Sequence, residues 1–300
     1  MSELATRIRK RAEAAARIRR FFAERGVLEV QTALISEYGV TDVHIENIRL
    51  RDHGFLRTSP EYAHKKLLAS GAGDLFELGP VFRAGERGRL HRPEFVMLEW
   101  YRLGWSWQQL AREVTELIER LTPDCRWQIV RVPWRELVAD VLPFDPLNAP
   151  LEQLRQALDD APSGLARPEL LDWLFASRIQ PDFPQDQLTI VHDYPACQAA
   201  LARLKPGETQ WAERFEVFAG PIELANGYRE LIDADEQSRR FEGDNQRRIA
   251  LGREAMPIDH ELIHALKTGL PDCAGVALGF ERLLMVMSCA ADISEVGFQD

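Results

Sequence analysis

The sequence predicts an α+β fold, an antiparallel β-sheet flanked by helices, carried as one domain over residues 1–300. Three stretches predict it. A long basic helix opens the chain at residues 3–25. A hairpin over residues 82–101 joins two apolar runs through a loop crowded with cations. Near the C-terminus, Ala274-Gly275-Val276-Ala277-Leu278-Gly279-Phe280-Glu281-Arg282-Leu283 reads as a glycine-rich strand running into a helix.

Composition narrows the class. With 300 residues and 45% hydrophobic content, the chain can bury a sizeable core. A net charge of −10 means that any nucleic-acid contact would need a local basic patch. Cys125, Cys197, Cys273 and Cys289 stand far apart with no C-x-x-C pair, which fits a reducing compartment and opposes a disulfide framework or a cysteine zinc site. No apolar run is long enough to span a membrane, and the N-terminus lacks an apolar signal region, so a cytoplasmic location without membrane contact is expected.

The elements follow in order. In residues 3–25, Leu4, Ile8, Ala15, Ile18 and Phe22 recur near helical spacing, and Gly26 closes the helix. Its eight Lys or Arg against three Glu suit either an RNA-facing surface or a solvated helix face. Val27–Val30 reads as a strand, followed by a loop through Gly39-Val40-Thr41-Asp42. Phe55–Thr58 is a short strand ending at Ser59-Pro60-Glu61, where Ser59 is expected as N-cap and Pro60 at the first helical position. Glu61 then sits at a strand-to-helix corner, facing either a cleft or the helix dipole. Residues 107–121 form a helix with Leu110, Val114, Leu117, Ile118 and Leu121 on one face. From about 122 to 206 the pattern is less regular and reads as an insertion or cap, with short helices at 151–160 and 168–179 and a strand at 188–192. Residues 214–218 and 222–231 are strands turned by Gly220-Pro221, and 233–251 is a polar helix.

The hairpin carries the chemistry. Arg83, Arg87, Arg89, His91 and Arg92 surround one loop, which suits a bound polyanion or, alternatively, a solvated tip. A competing motif is His260-Glu261-Leu262-Ile263-His264, the H-E-x-x-H pattern, which on a helix could bind Zn²⁺ with Glu261 as base of a hydrolase. No third ligand stands out downstream.

Three pieces in this order resemble the signature motifs of class II aminoacyl-tRNA synthetases: the helix leading to Val27–Leu34, the arginine hairpin, and Gly275–Arg282. Finer matches resemble the lysyl branch: Gly39-Val40-Thr41-Asp42, Ser59-Pro60-Glu61, His91 with Pro93-Glu94-Phe95, Glu223-Leu224-Ala225-Asn226-Gly227 and Gly269-Leu270-Pro271. Lysyl-tRNA synthetases carry an N-terminal OB-fold that reads the anticodon, and no such β-barrel precedes these motifs here. The chain therefore resembles the stand-alone lysyl-synthetase-like family that modifies elongation factor P. That resemblance implies ATP-dependent activation of lysine, preferably (R)-β-lysine, as the adenylate, then transfer to a lysine side chain of elongation factor P. It implies ATP and Mg²⁺ as cofactors, a homodimer, and no tRNA substrate. A truncated lysyl-tRNA synthetase acting on RNA is the alternative. A non-catalytic synthetase-like regulator would have lost charged positions that are present here.

By position, the resemblance makes Arg83 and Arg282 the catalytic arginines on carboxylate and phosphates. It gives Ala84, Gly85, Glu86, Arg89, His91, Arg92, Phe95, Glu223, Leu224 and Gly279 to ATP, with the Phe95 ring under adenine. Ser59, Pro60, Glu61, Glu99, Tyr101, Glu230, Glu236 and Ala277 are expected around the amino acid, and Glu223 with Glu230 on Mg²⁺. Four positions depart from the family pattern: Gly85 displaces the usual acid to Glu86, Arg92 replaces asparagine, Ala33 replaces the proline of the dimer interface, and Ala277 replaces glycine. The Ala277 methyl is expected to disfavour α-lysine relative to β-lysine.

Overall fold

The computed structural model describes residues 2–297. Helix α1 (Glu3–Ala23) starts at Ser2, whose hydroxyl accepts from the Ala5 amide at 3.2 Å. Its buried face is Ala14, Ile18, Phe21 and Phe22, whereas Leu4 and Ile8 are about half exposed, so the expected apolar stripe is covered only in its second half. Gly26, at φ +66°, turns the chain into the short strand β1 (Leu28–Glu29). Strands β2 (Ile35–Ser36), β3 (Ile48–Leu50) and β4 (Gly54–Leu56) form a separate antiparallel sheet in the order β2-β4-β3. Helix α2 (Glu61–Ala69) follows. Ser59 is not its N-cap: Pro60 occupies that position, no side chain caps the helix, and the Pro60 carbonyl takes the first helical bond from His64.

The hairpin is β5 (Leu75–Phe82) paired with β6 (Glu94–Leu103), in register from Leu75↔Tyr101 to Phe82↔Glu94. Helix α3 (Trp107–Leu121) has the predicted bounds, because Ser106 and Gln109 close a capping box and the whole predicted apolar face is buried. The segment expected to be a less regular insertion supplies two strands of the main sheet, β7 (Gln128–Pro133) and β8 (Gln187–Pro195). Between them run α4 (Trp134–Ala139), α5 (Leu151–Ala157) and α6 (Arg167–Leu174). The chain continues through β9 (Trp211–Ala219), β10 (Ile222–Arg229), α7 (Ala234–Ala250), α8 (His260–Gly269), β11 (Cys273–Gly279) and α9 (Phe280–Ser288).

The main sheet has eight strands in the order β1-β5-β6-β11-β10-β9-β8-β7, antiparallel except for its two edge pairs, β1/β5 and β7/β8. One face packs on α1, α3 and α9 through Leu98, Trp100, Val217, Val276 and Leu278. Alternation along each strand sends the neighbouring residues to the opposite face. There, α2, α7 and α8 cover the β5 side through Leu68, Phe241, Leu262 and Tyr101. Helices α4 and α6 cover the β8 side through Trp134, Leu171, Val191 and Phe218. A trough over the central strands remains between these two clusters. No helix among the described residues is long and apolar enough to cross a membrane.

Candidate active site

The floor of the trough is set by register. Glu77 of β5, Glu99 of β6, Ala277 of β11, Asn226 of β10 and Glu216 of β9 are successive partners, one polar row across five strands. The next row is Tyr101, Gly275, Tyr228 and Arg214. Above this floor lies a cavity of about 850 Å³ lined by Ser59, Glu61, Arg83, Glu99, Tyr228 and Glu236, among others. A second cavity of about 230 Å³ is lined by Glu86, His91, Arg92, Phe95, Glu223 and Arg282, with Leu224 and Gly279. Arg83, Met97, Asn226 and Ala277 line both, so the two form one cleft with Arg83 at the junction.

The larger end is built for ammonium groups. Helix α2 places Glu61 and Lys65 one turn apart, and the Lys65 ammonium lies 2.7 Å from both Glu61 and Glu230. The Tyr228 hydroxyl is 2.8 Å from both Glu61 carboxylate oxygens, and the Tyr101 hydroxyl donates to Glu99 at 2.8 Å. Burial opposes the charge on Lys65, but the Glu230 and Glu61 carboxylates outweigh it and hold the amine protonated. Burial pushes Glu230 up to about 8 against the pull of Lys65. The Glu230 oxygens have no hydrogen-bond partner beyond that ammonium ion pair. Gly275 makes the arrangement possible: a Cβ there would overlap Glu230 Oε1 and the Tyr101 ring. Tyr101 and Glu230 are buried behind the cavity wall, while Glu236 lines it, held by Arg239 and Arg240 at 2.8 and 3.0 Å.

The smaller end is built for an anion and a flat ring. Arg282 donates to the Glu223 carbonyl at 3.1 Å, pairs with the Glu223 carboxylate at 3.3 Å, and lies 2.7 Å from His91 Nε2. Burial and the Arg282 charge together hold His91 below its usual range, so its Nε2 accepts from the guanidinium. The Arg83 guanidinium sits 5.4 Å from the centre of the Phe95 ring, donates to the Thr58 carbonyl at 3.2 Å, and faces Glu86 at 3.6 Å.

The structure brings most of the expected residues to this cleft, with exceptions. Glu223 and Glu230 do not meet. A β-bulge between Glu223 and Ala225 puts both on the trough face, but they stand at opposite ends of β10, seven residues or roughly 20 Å apart. Glu223 instead has Glu216 as a diagonal neighbour, because Glu223 pairs with Phe218 and Asn226 with Glu216. Burial is the main cause that raises Glu216 to about 7. Arg214 opposes the rise and the Glu223 charge adds to it. Arg89 donates to the Ala291 carbonyl at 3.0 Å and lies outside both cavities, as do Ala84, Gly85 and Pro60. Lys65, Tyr228, Arg214 and Glu216 were not singled out from the sequence. The spacing of two between Tyr228 and Glu230 and between Arg214 and Glu216 was the available signal.

The H-E-x-x-H segment does not form a metal centre here. His260 and His264 are exposed on α8, Glu261 pairs with Lys66 at 3.1 Å, and no three His, Cys, Asp or Glu side chains are placed to hold a metal among the described residues.

An eight-stranded, mainly antiparallel sheet with this two-ended cleft is the catalytic domain of a class II aminoacyl-tRNA synthetase. Residues 1–298 match the tRNA synthetases class II (D, K and N), and the chain belongs to that family. Within it, the chain is 43% identical to the elongation factor P–(R)-β-lysine ligase of Photorhabdus laumondii over 302 aligned residues, covering 96% of this chain and 92% of that one. The proteins of the same name from Pectobacterium atrosepticum and Yersinia enterocolitica are 43% and 44% identical over the same shares.

Removing Arg282 by Arg282→Ala is expected to raise the His91 pKa towards that of a free imidazole, because the larger of the two cationic influences that lower it, Arg282 and Arg83, is lost. Histidine NMR against pH reads the shift, and an unchanged His91 titration would refute the assignment.

Proposed function

We propose that this chain activates a diamino acid, (R)-β-lysine, with ATP and transfers the acyl group to a lysine side chain of elongation factor P. The observation that carries the proposal is the single cleft in which Arg83 separates a carboxylate-lined end from an arginine-, histidine- and phenylalanine-lined end. The names of the relatives support the same reading.

The chemistry follows from the residues. One ammonium of the substrate meets Glu61 and Tyr228, and the other reaches towards Glu99, with Glu230 behind the wall holding Lys65 in place. Its carboxylate then lies at Arg83, beside the α-phosphate of ATP. A guanidinium fork can hold both anions and strengthens its contact as negative charge gathers on the phosphorus. The carboxylate oxygen attacks the α-phosphorus and pyrophosphate leaves, with Arg282 and His91 on the phosphates and the Phe95 ring under adenine. No base is needed, since the nucleophile is already an anion. In the second step the acceptor amine, having lost its proton, attacks the acyl carbon and AMP leaves.

Mg²⁺ fits Glu223, a hard oxygen donor lining the narrow end, with Glu216 behind it on the adjacent strand, where its oxygens accept from Tyr194 and Arg214 at 2.6 Å. It would neutralise phosphate charge there. The Ala277 methyl, on the floor shared by both cavities, narrows the passage between the ammonium end and Arg83. It therefore favours β-lysine over α-lysine. The chain works in the cytoplasm as a homodimer without tRNA. The exposed Leu28 on the edge strand β1, with Leu34 and Ile35 at β2 of the small sheet, supply apolar surface for the second subunit.

Incubating the protein with ATP, (R)-β-lysine and elongation factor P should add one β-lysyl mass to a single lysine of the factor. Labelling of tRNA instead would overturn the proposal. In pyrophosphate exchange β-lysine should outperform α-lysine, with Ala277→Gly narrowing the gap; equal efficiency in the parent protein would sink the specificity argument. Glu216→Gln and Glu223→Gln should each raise the Mg²⁺ concentration for half-maximal exchange by roughly tenfold, an effect absent from Glu230→Gln.

A further inference from the structure

Behind the floor of the cleft lies a buried chain of alternating charge that the proposed reaction does not use. His64 of α2 is fully enclosed. Its Nδ1 lies 3.3 Å from Glu99 Oε1 and its Nε2 lies 3.0 Å from Glu77 Oε2. Glu77, itself buried, is held from the far side by the Arg57 guanidinium at 2.7 Å and by the Thr32 hydroxyl at 2.7 Å. Glu99 takes the Tyr101 hydroxyl on the oxygen that faces His64 and also lines the cavity. Both neighbours of the imidazole are acceptors, so a neutral ring could satisfy only one of them.

We propose that His64 is a positioning residue for substrate recognition: as a doubly donating imidazolium it fixes the Glu99 carboxylate in the orientation that receives the substrate ammonium. This rests on the reading that Glu99 contacts that ammonium. Arg57 and Thr32 anchor Glu77, Glu77 anchors His64, and His64 anchors Glu99. The edge of the Tyr101 ring closes the site at 5.5 Å from the imidazole. The other charged groups nearby are those of the Lys65, Glu61 and Glu230 cluster, which are matched among themselves. Burial works against the charged ring, yet the bonds to Glu77 and Glu99 prevail and raise its pKa above the ordinary value. The bridge is therefore complete below that raised value. It loses a donor only as pH rises through that raised value.

Two measurements test this. In the parent protein at pH 7, nitrogen NMR should show both His64 ring nitrogens carrying protons; a neutral tautomer would overturn the inference. In pyrophosphate exchange, His64→Gln should raise the KM for β-lysine about tenfold, with kcat and the KM for ATP within about twofold. The ratio of variant to parent KM should fall towards one as pH is raised through the elevated His64 pKa, because the parent loses its bridge and the variant has none. Use of the same substrate in both arms cancels the substrate's own titration. An unchanged KM, or a ratio flat with pH, would refute the positioning role. Glu99→Gln separates the two levels. If it raises KM while His64→Gln does not, only this inference fails; if it leaves KM unchanged, the assignment of Glu99 to the substrate fails.

Discussion

The ammonium of Lys65 is the contact on which the wide end of the cleft depends. Glu61, Glu99 and Glu230 lie close around the wide end: Glu99 on β6, Glu230 just past the end of β10 two strands away, and Glu61 on the helix above. Three carboxylates so placed repel one another and lose most of their hydration. Each buried ion costs several kcal/mol to desolvate unless a counter-charge meets it. Lys65 meets two at once, and the His64 imidazolium serves the third. The cluster is thus left acidic but not saturated, which is the condition for holding a substrate cation and later letting it go. A cluster without the internal cations would carry so much repulsion that Glu230, already raised by burial, would stay protonated and offer an ammonium little.

The two ends of the cleft are kept apart by the sheet itself. Register places Glu99, Ala277 and Asn226 side by side, with Gly275 and Tyr228 one row further from the nucleotide end. The bulge after Glu223 then rotates that residue onto the same face, where uninterrupted alternation would have buried it. One extra residue in β10 thereby gives the narrow end its acid and lets Arg282, rising from the first turn of α9, reach it. Arg83 stands between the ends with one carbonyl and one distant carboxylate as partners, so its donors are available to an incoming anion.

These features differ in how far the sequence discloses them. Helix α3 is legible to the residue because its cap and its apolar spacing are local. The hairpin and the strand β11 are legible for the same reason. The partner of Glu223 is not: a count of seven along a strand suggests Glu230, and only the bulge and the β9 register show Glu216 to be the neighbour. Strand β7 is hard to read because its one partner, β8, pairs with it in parallel across three intervening helices, with Ile129 left exposed at the edge; the core of β8 at 188–192 is legible. Lys65 and His64 sit on a helix whose polar residues suggest a solvated face. What buries them is the sheet row beneath, which no helical periodicity records.

The same distinction settles what the cations of the hairpin loop do. Five of them suggest one polyanion site, yet they divide. Arg83, His91 and Arg92 line the cleft, whereas Arg89 turns away to the Ala291 carbonyl. Arg92 spends donors on the carbonyls of Gly88 and His91, at 2.6 and 2.9 Å, and reaches Asp292 at 3.4 Å. The Arg89 carbonyl also accepts from the Ile293 amide at 2.9 Å. Two arginines and one backbone bond therefore tie the loop to residues 291–293, and Gly85, at φ +77°, supplies the turn that lets it fold over. The positions where the loop departs from its family's pattern are thus not lost nucleotide contacts alone. Arg92 at an asparagine position exchanges a short polar contact for a brace, and the loop is held against the C-terminal segment before any phosphate arrives. A preset loop lowers the ordering cost of binding a nucleotide there, and under the proposed function that leaves Arg83 and Arg282 to act on the reacting groups.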